Sequence, residues 1–379
     1  MIEPLSSHLP DPQFDVRAPG RVNLLGEHVD YNDGIVLPAA IDRYVHLQAV
    51  ERADTVVELT ALDLDQSVSF DLENLEPPSL PEWARYPAGV AWAAMQRGLT
   101  VSGIRAVFTS TVPIGAGLSS SAAVEVAFGA LWNELNGWNL SRLQLAQLCQ
   151  QAENQFVGVN CGLMDQFASA CGVKDHALMF DTRSLEYEAV PLPPGSALVI
   201  ADSGVRRTLA GSAYNQRRAD CEEAVRFLQK DLPEMTSLRD ISPEDFDRLA
   251  PRLPAQVCQH ARHVVEEIAR VQKAVNYLKQ GDSRSFGKLM FEGHASLRDL
   301  YQVSIPELDA LVEIASHLPG CLGARLTGAG FGGCTVNLVA EEAAQSFAQS
   351  LAREYHARTG KTAEIYLCHA SEGVHLQKA

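Results

Sequence analysis

Apolar and polar positions alternate along some stretches of the chain and recur at helical spacing along others. Residues 13–17 (QFDVR) and 43–50 (RYVHLQAV) read as short strands, and VVELTAL and QSVSFDL, around 56–72, alternate well enough for a hairpin. Ile35 to Ile41 is nearly all apolar, as a buried strand should be. Residues 74–87, rich in proline and acid, predict a surface loop, and 88–98 is helical in pattern with Gly98 as its stop. A strand follows in GIRAVFTSTVP (103–113), then a Gly/Ser loop and a helix over about 119–135. Residues 141–157 (SRLQLAQLCQQAENQFV) predict one amphipathic helix capped by Ser141, and 176–192 two more strands. Leu192-Pro193-Pro194-Gly195 ends that series cleanly and is the best candidate boundary. Beyond it come a strand (ALVIAD, 197–202), a helix from near Ser212, long helices at about 256–280 and 282–300, and a shorter one in PELDALVEIASHL. The chain closes with strand, Gly loop and strand (ARLTGAGFGGCTVNLVA, 324–340), a helix at 341–356 and the strand AEIYLCHA. Both halves mix strands and helices without regular βαβ alternation. The expectation is an α+β fold in two domains, 1–194 and 195–379.

Length agrees, since 379 residues can bury a large core and suit two domains. The net charge of −16 argues against a nucleic-acid or anionic-membrane binder, because an acidic surface repels both. A nucleotide substrate would then need a local cationic patch or a metal. The longest uncharged run, Ala106 to Val124, contains Pro113, two glycines and six Ser/Thr, so it is a poor membrane span. The first seventeen residues hold acids and prolines and no apolar leader segment, and the eight cysteines are scattered with no CxxC pair. A cytoplasmic protein with reduced thiols is expected.

Two stretches carry candidate chemistry. Residues 18–41 (APGRVNLLGEHVDYNDGIVLPAAI) crowd Arg21, Glu27, His28, Asp30 and Asp33 among glycines, which no surface helix would tolerate. The reading is strand, turn at Asn32-Asp33-Gly34, strand. The polar loop is either a solvated hairpin or a site for a hydroxyl-rich small ligand. Residues 112–132 (VPIGAGLSSSAAVEVAFGALW) run a Gly-rich loop into a helix start. Free N–H groups and the helix dipole make that an anion site, and phosphate is the favoured ligand. No Lys precedes the serines, so it is not a Walker loop. The later Gly328–Gly333 loop satisfies GxGxxG but precedes a strand, so it lacks the dinucleotide context. It is a tight strand–strand turn or a loop that shapes the site.

Two carboxylates sit in unusual places. Glu153 flanks the core-facing stripe of its helix and needs a partner, either an ion pair or a magnesium ion. Asp165, in a bent Gly-framed segment (157–172), is either a helix-start acid or a general base, with a nearby Arg to hold it ionised. Tyr214 packs in the core or offers its hydroxyl to a ligand.

Together these pieces resemble the galactokinase family, within the galactokinase, homoserine, mevalonate and phosphomevalonate (GHMP) kinase superfamily. GRVNLLGEHVDYNDG from 20, VPIGAGLSSSAA from 112 and LTGAGFGGC from 326 stand in family order, and CGLMDQFAS (161–169) and Val205 to Arg218 are similar too. The resemblance implies a two-domain GHMP-kinase architecture with the active site in the interdomain cleft. It implies ATP-dependent phosphorylation of galactose at the C1 hydroxyl, with ATP and Mg²⁺ required, by a monomer with no nucleic-acid or membrane partner. By position, Glu27, His28, Asp30, Gly162 and Tyr214 would hold galactose. Asp165 would take the hydroxyl proton and Arg21 steady the transition state. Gly115, Ala116, Gly117, Leu118, Ser119, Ser120 and Ser121 would wrap the ATP phosphates, and Ser121 and Glu153 would bind Mg²⁺. Leu25, Ala116, Ala213 and Ala329 depart slightly from the usual pattern. Another sugar-1-kinase of the superfamily, for N-acetylgalactosamine or arabinose, is the nearest rival, and a non-catalytic galactose sensor a more distant one.

Overall fold

A computed structural model describes residues 5–206 and 210–378. The first half runs β1 (Phe14–Asn23), β2 (Ile35–Val36), β3 (Pro38–Glu51), β4 (Val56–Ala61), β5 (Gln66–Asp71), α1 (Arg85–Gln96), β6 (Ile104–Ser110), α2 (Ser120–Leu135), α3 (Arg142–Ala152), α4 (Met164–Cys171), β7 (His176–Asp181) and β8 (Tyr187–Pro191). The second runs β9 (Ser196–Asp202), α5 (Ala210–Leu228), α6 (Pro243–Leu249), α7 (Ala255–Lys279), α8 (Ser283–Asp299), α9 (Pro306–His317), β10 (Cys321–Thr327), β11 (Cys334–Ala340), α10 (Ala344–Thr359), β12 (Glu364–Cys368) and β13 (His375–Lys378).

These elements form an α+β molecule with three sheets. A six-stranded sheet is ordered β13-β1-β3-β6-β4-β5, a four-stranded one β10-β11-β9-β12, and a three-stranded one β2-β7-β8. Every pairing is antiparallel except β4 with β6. Helices α2 and α4 lie across β1 and β3 of the six-stranded sheet, and α1 and α3 pack against those helices. The expected boundary falls between β8 and β9, yet the halves are not separate bodies. Leu24, Leu25 and Val112 share one apolar cluster with Leu198, Val271 and Met290. Strand β13, which the sequence pattern did not reveal, carries the chain's end back to pair with β1.

Several expectations shift in detail. The helix expected over 141–157 is α3 as far as Ala152, capped by the reciprocal Ser141–Gln144 box, and then a π-turn over Glu153–Val157. The widened turn ends at Gly158, whose N–H reaches the Glu153 carbonyl at 2.9 Å. Helix α1 starts at Arg85 rather than 88, and α6 was not foreseen at all. In the Asn32-Asp33-Gly34 turn it is Asp33 that takes positive φ, at 57°. Gly34 has a different reason to be glycine: a Cβ there would lie 2.7 Å from the Val29 carbonyl oxygen.

One irregularity places the chemistry. The β1–β3 register slips between Pro19 and Arg21, a bulge of the kind that re-aims a side chain. At its centre Gly20 lets the loop before α2 press against β1, since a Cβ would stand 2.7 Å from the Leu118 carbonyl oxygen. That carbonyl accepts the Arg21 N–H at 3.1 Å.

Candidate active site

Arg21 projects from the bulge into a fork with Asp165, one residue inside α4. Its Nε donates to Oδ1 at 2.8 Å and its Nη2 to Oδ2 at 2.7 Å. Its third nitrogen, Nη1, donates to the Gly117 carbonyl at 2.7 Å. Ser119 Oγ also donates to Asp165 Oδ2, at 2.5 Å. A fork of this geometry fixes a carboxylate's direction as well as its charge. Arg21 and Asp165 also wall two neighbouring cavities, of about 370 and 340 Å³.

The smaller cavity is lined by Gly115, Gly117, Ser119, Ser120 and Ser121, together with Arg206. Gly115 and Gly117 carry φ of 71° and 84°, and the turn delivers the start of α2 to the cavity wall. Ser119 does not cap that helix, because its own φ is 59° and its hydroxyl is spent on Asp165. Ala116 and Leu118 turn into the core, at 0% and 1% exposure, and line neither cavity. Arg206 brings a guanidinium to this cavity in an otherwise acidic chain. It reaches across from just after β9 and is half exposed, with Nη1 on Asp202 at 2.8 Å. The sequence analysis did not single it out, although the paired Arg206-Arg207 in an acidic chain was a usable signal.

The larger cavity lies between the halves. From the first half come Glu27, His28, Asp30, Glu153, Cys161 and Gly162, and from the second Tyr214, Asn215, Gly328 and Ala329. Gly162 is glycine because Asp30 needs the space: a Cβ would fall 1.8 Å from Asp30 Oδ2. Burial, and next the Asp165 charge, push the Asp30 carboxyl up to about 6. His28 sits at a φ of 64°, with Nδ1 on the Tyr31 hydroxyl at 2.9 Å and Nε2 on the Ala329 carbonyl at 3.2 Å. Its ring meets those of Tyr31, Tyr214 and Tyr301, so Tyr214 packs in an aromatic wall while facing the cavity. Glu27 is 1% exposed and ion-paired to Arg325. The Gly328–Gly333 loop joins β10 to β11, as the strand–strand reading expects, and its Gly328 and Ala329 line the cavity.

Ser121 and Glu153 meet where the two cavities adjoin. The Glu153 carboxylate accepts hydrogen bonds from Cys161 Sγ at 3.1 Å and from Gln166 Nε2 at 2.5 Å, and the Ser121 hydroxyl stands beside it and favours its ionised form. The expected ion pair is replaced by this neutral set. The same Gln166 amide donates to the fully buried Glu125, Oε2 at 3.0 Å. Burial raises both carboxyls; the Glu153 charge is the second cause at Glu125, and the Asp165 charge adds to the rise at Glu153. No group of three or more His, Cys, Asp and Glu side chains able to hold a metal occurs among the described residues.

Fold and site define a kinase of the GHMP type. The family model for the GHMP kinases N terminal domain matches residues 85–173 and that for the C terminal domain residues 274–357. The likeness narrows at the polar loop before β2, where the galactokinase galactose-binding signature matches residues 7–49. The chain is 51% identical over 363 residues to the galactokinase of Roseiflexus sp. (strain RS-1), covering 96% of this chain and 93% of that protein. It is 47% identical over 358 residues to the galactokinase of Chloroflexus aggregans, covering 94% and 92%. The crystal structure of Lactococcus lactis galactokinase complexed with galactose matches with a TM-score of 0.92 at 34% identity, over 99% of this chain and 98% of that one. Methanococcus jannaschii mevalonate kinase shares the fold at a TM-score of 0.69 and 19% identity, over 94% and 98%. The chain belongs to the galactokinase family and is an enzyme.

Proposed function

We propose that this enzyme transfers the γ-phosphoryl group of ATP to the C1 hydroxyl of α-D-galactose, giving galactose 1-phosphate, ADP and a proton. The observation that carries the reading is the Arg21–Asp165 fork at the wall common to both cavities. A hexose in the larger cavity would present its C1 hydroxyl to a phosphate chain in the smaller one across that fork. Asp30, Glu27, His28, Tyr214 and the Gly162 backbone would orient the sugar. Asp30 and the other carboxylates would accept from its hydroxyls. Asp165 would take the hydroxyl proton as the O–P bond forms and the bond to the bridging oxygen of ADP breaks. Arg21, held to Asp165 and to the Gly117 carbonyl, would offset the charge gathering on the transferred group. The α2 N-terminus, the backbone from Gly115 to Ser121 and Arg206 would hold the phosphates.

Ser121 and Glu153 suit a magnesium ion. They offer a hydroxyl and a carboxylate, hard oxygen donors of the kind Mg²⁺ binds in ones and twos, the rest coming from phosphate and water. Held by these two residues, the ion would supply positive charge to offset that of the phosphates. The enzyme is proposed to be a cytoplasmic monomer; its eight cysteines form no disulfide, and no helix among the described residues is long and apolar enough to cross a membrane.

A panel of free monosaccharides with an ADP-coupled readout tests the reading. Galactose should give the highest kcat/KM. Preference for N-acetylgalactosamine or arabinose would point to the sister kinases, and sugar binding without ADP formation to a sensor. Asp165→Asn should lower kcat by roughly 10²–10⁴ while ATP still binds, the range of a lost general base. Near-normal turnover would leave Arg21 and the phosphate-binding groups to carry the reaction without a base.

A further inference from the structure

Between Asn23 and Ile35 the chain forms no strand or α-helix, only a short 3-10 turn at Asp30–Asn32, yet it presents Glu27, His28 and Asp30 to the larger cavity. Its shape is imposed by side chains from the other half. Arg325, on β10, is 0% exposed. Its Nη2 stands 2.5 Å from Glu27 Oε2, and its Nη1 donates to Glu267 Oε1 at 2.9 Å and to the Leu24 carbonyl at 3.3 Å. Glu267, on α7, is likewise 0% exposed; its Oε1 also accepts the Gly26 N–H at 2.8 Å, and Arg270 pairs with its other oxygen. Glu27 Oε1 accepts the Gly328 N–H at 3.2 Å. His263, also on α7, reaches the Glu27 carbonyl at 3.2 Å. One cluster of two carboxylates and two guanidiniums thus fixes the stretch before Glu27 at the Leu24 carbonyl and the Gly26 N–H, and holds the Glu27 carboxylate to Gly328. Gly293 leaves it room, since a Cβ there would lie 2.8 Å from Arg325 Nη1.

We propose that Arg325 and Glu267 are positioning residues for the sugar. They hold Glu27 and the turn from Gly26 to His28 at the cavity wall, and they tie that turn to the Gly328 loop, so that sugar recognition depends on them and ATP recognition does not. This rests on reading the larger cavity as the galactose site. Neither residue lines either cavity, so neither touches substrate. A planar guanidinium can face Glu27, Glu267 and the Leu24 carbonyl at once; a lysine ammonium at that place cannot span all three.

The experiment compares the parent enzyme with Arg325→Lys and Glu267→Gln, measuring the KM for galactose and for ATP, galactose affinity without ATP, and thermal unfolding. In at least one folded variant the galactose KM should rise tenfold or more, with a matching loss of galactose affinity, while the ATP KM stays within threefold. A galactose KM within threefold of the parent in the folded variants would overturn the proposal, as would a parallel rise in both KM values. Loss of folded protein in both variants would also overturn it, leaving the cluster a purely structural element. Failure of the parent enzyme to consume ATP with galactose would instead refute the functional reading itself.

Discussion

At the scale of single residues, the site is a set of carboxylates in different environments. Asp165 is gripped by Arg21 and Ser119, whereas Asp30 has no cation in its hydrogen-bonding shell among the described residues and stands beside Asp165. Burial and that neighbouring charge raise Asp30 to about 6, against an ordinary value of about 4. The sign of the consequence differs for folding and for binding. The folded chain holds this proton more tightly than the unfolded chain does. Asp30 therefore favours the fold at low pH, and that contribution is lost as pH rises from about 4 through 6. A sugar hydroxyl, however, needs the ionised form as acceptor. With a group at about 6, roughly a quarter is ionised at pH 5.5, so the galactose KM should rise about fourfold between pH 7.5 and 5.5. Asp30→Asn should flatten that profile. An unchanged rise in the Asn variant would assign the dependence to another group. Glu27, which burial pushes up to about 7, is the one to suspect, although Arg325 beside it favours its ionised form.

At the scale of elements, two departures from regularity do most of the placing. One is the π-turn at the end of α3, where a single wide turn lets Glu153 leave the helix facing Ser121 and Gln166. Such turns are common at functional sites. The other is the β1 bulge, where Gly20 lets the loop before α2 lie on the strand that carries Arg21. Gly20→Ala should push that loop off the strand, because the new Cβ would meet both the Leu118 carbonyl and, at 2.8 Å, Val112. The expected result is an ATP KM raised about tenfold and a stability loss of about 1–3 kcal/mol, the size of an overpacked core site. ATP titration and denaturant unfolding measure the two. An unchanged ATP KM would show that the strand does not hold the loop.

At the scale of the whole molecule, the two halves are joined where the sequence suggested a break. Helix α5 and the first half of α7 pack with the core of the six-stranded sheet, and the chain's end returns to that sheet as β13. Gly373 and Val374 lead into it by donating to the Gly172 and Ser169 carbonyls, both at 2.8 Å, beside α4 and its Asp165. Ending the chain after Glu372 removes these bonds and the buried Val374. The protein should then lose about 2–4 kcal/mol of stability in a denaturant titration, from a few backbone hydrogen bonds and one apolar side chain, with kcat within about threefold. An unaltered midpoint would show that β13 contributes nothing to the fold.

Local physics made much of this readable in advance. Apolar alternation marked most of the strands, the Ser141 cap marked the start of α3, and glycines before serines marked the loop that walls the smaller cavity at the start of α2. These signals depend on near neighbours in the chain, and sequence order preserves near neighbours. The motifs that resemble galactokinases marked Arg21, Glu27, Asp165 and Glu153 before any contact was visible. Tertiary structure alone decided which side chains meet over long separations: that Ser119 turns to Asp165 rather than capping α2, that Arg206 lines one cavity with the Gly115–Ser121 loop, and that Arg325 and Glu267 reach the polar loop from 241 and more residues away. Buried charges find partners wherever the packed chain brings them together, and no periodicity along the sequence records that.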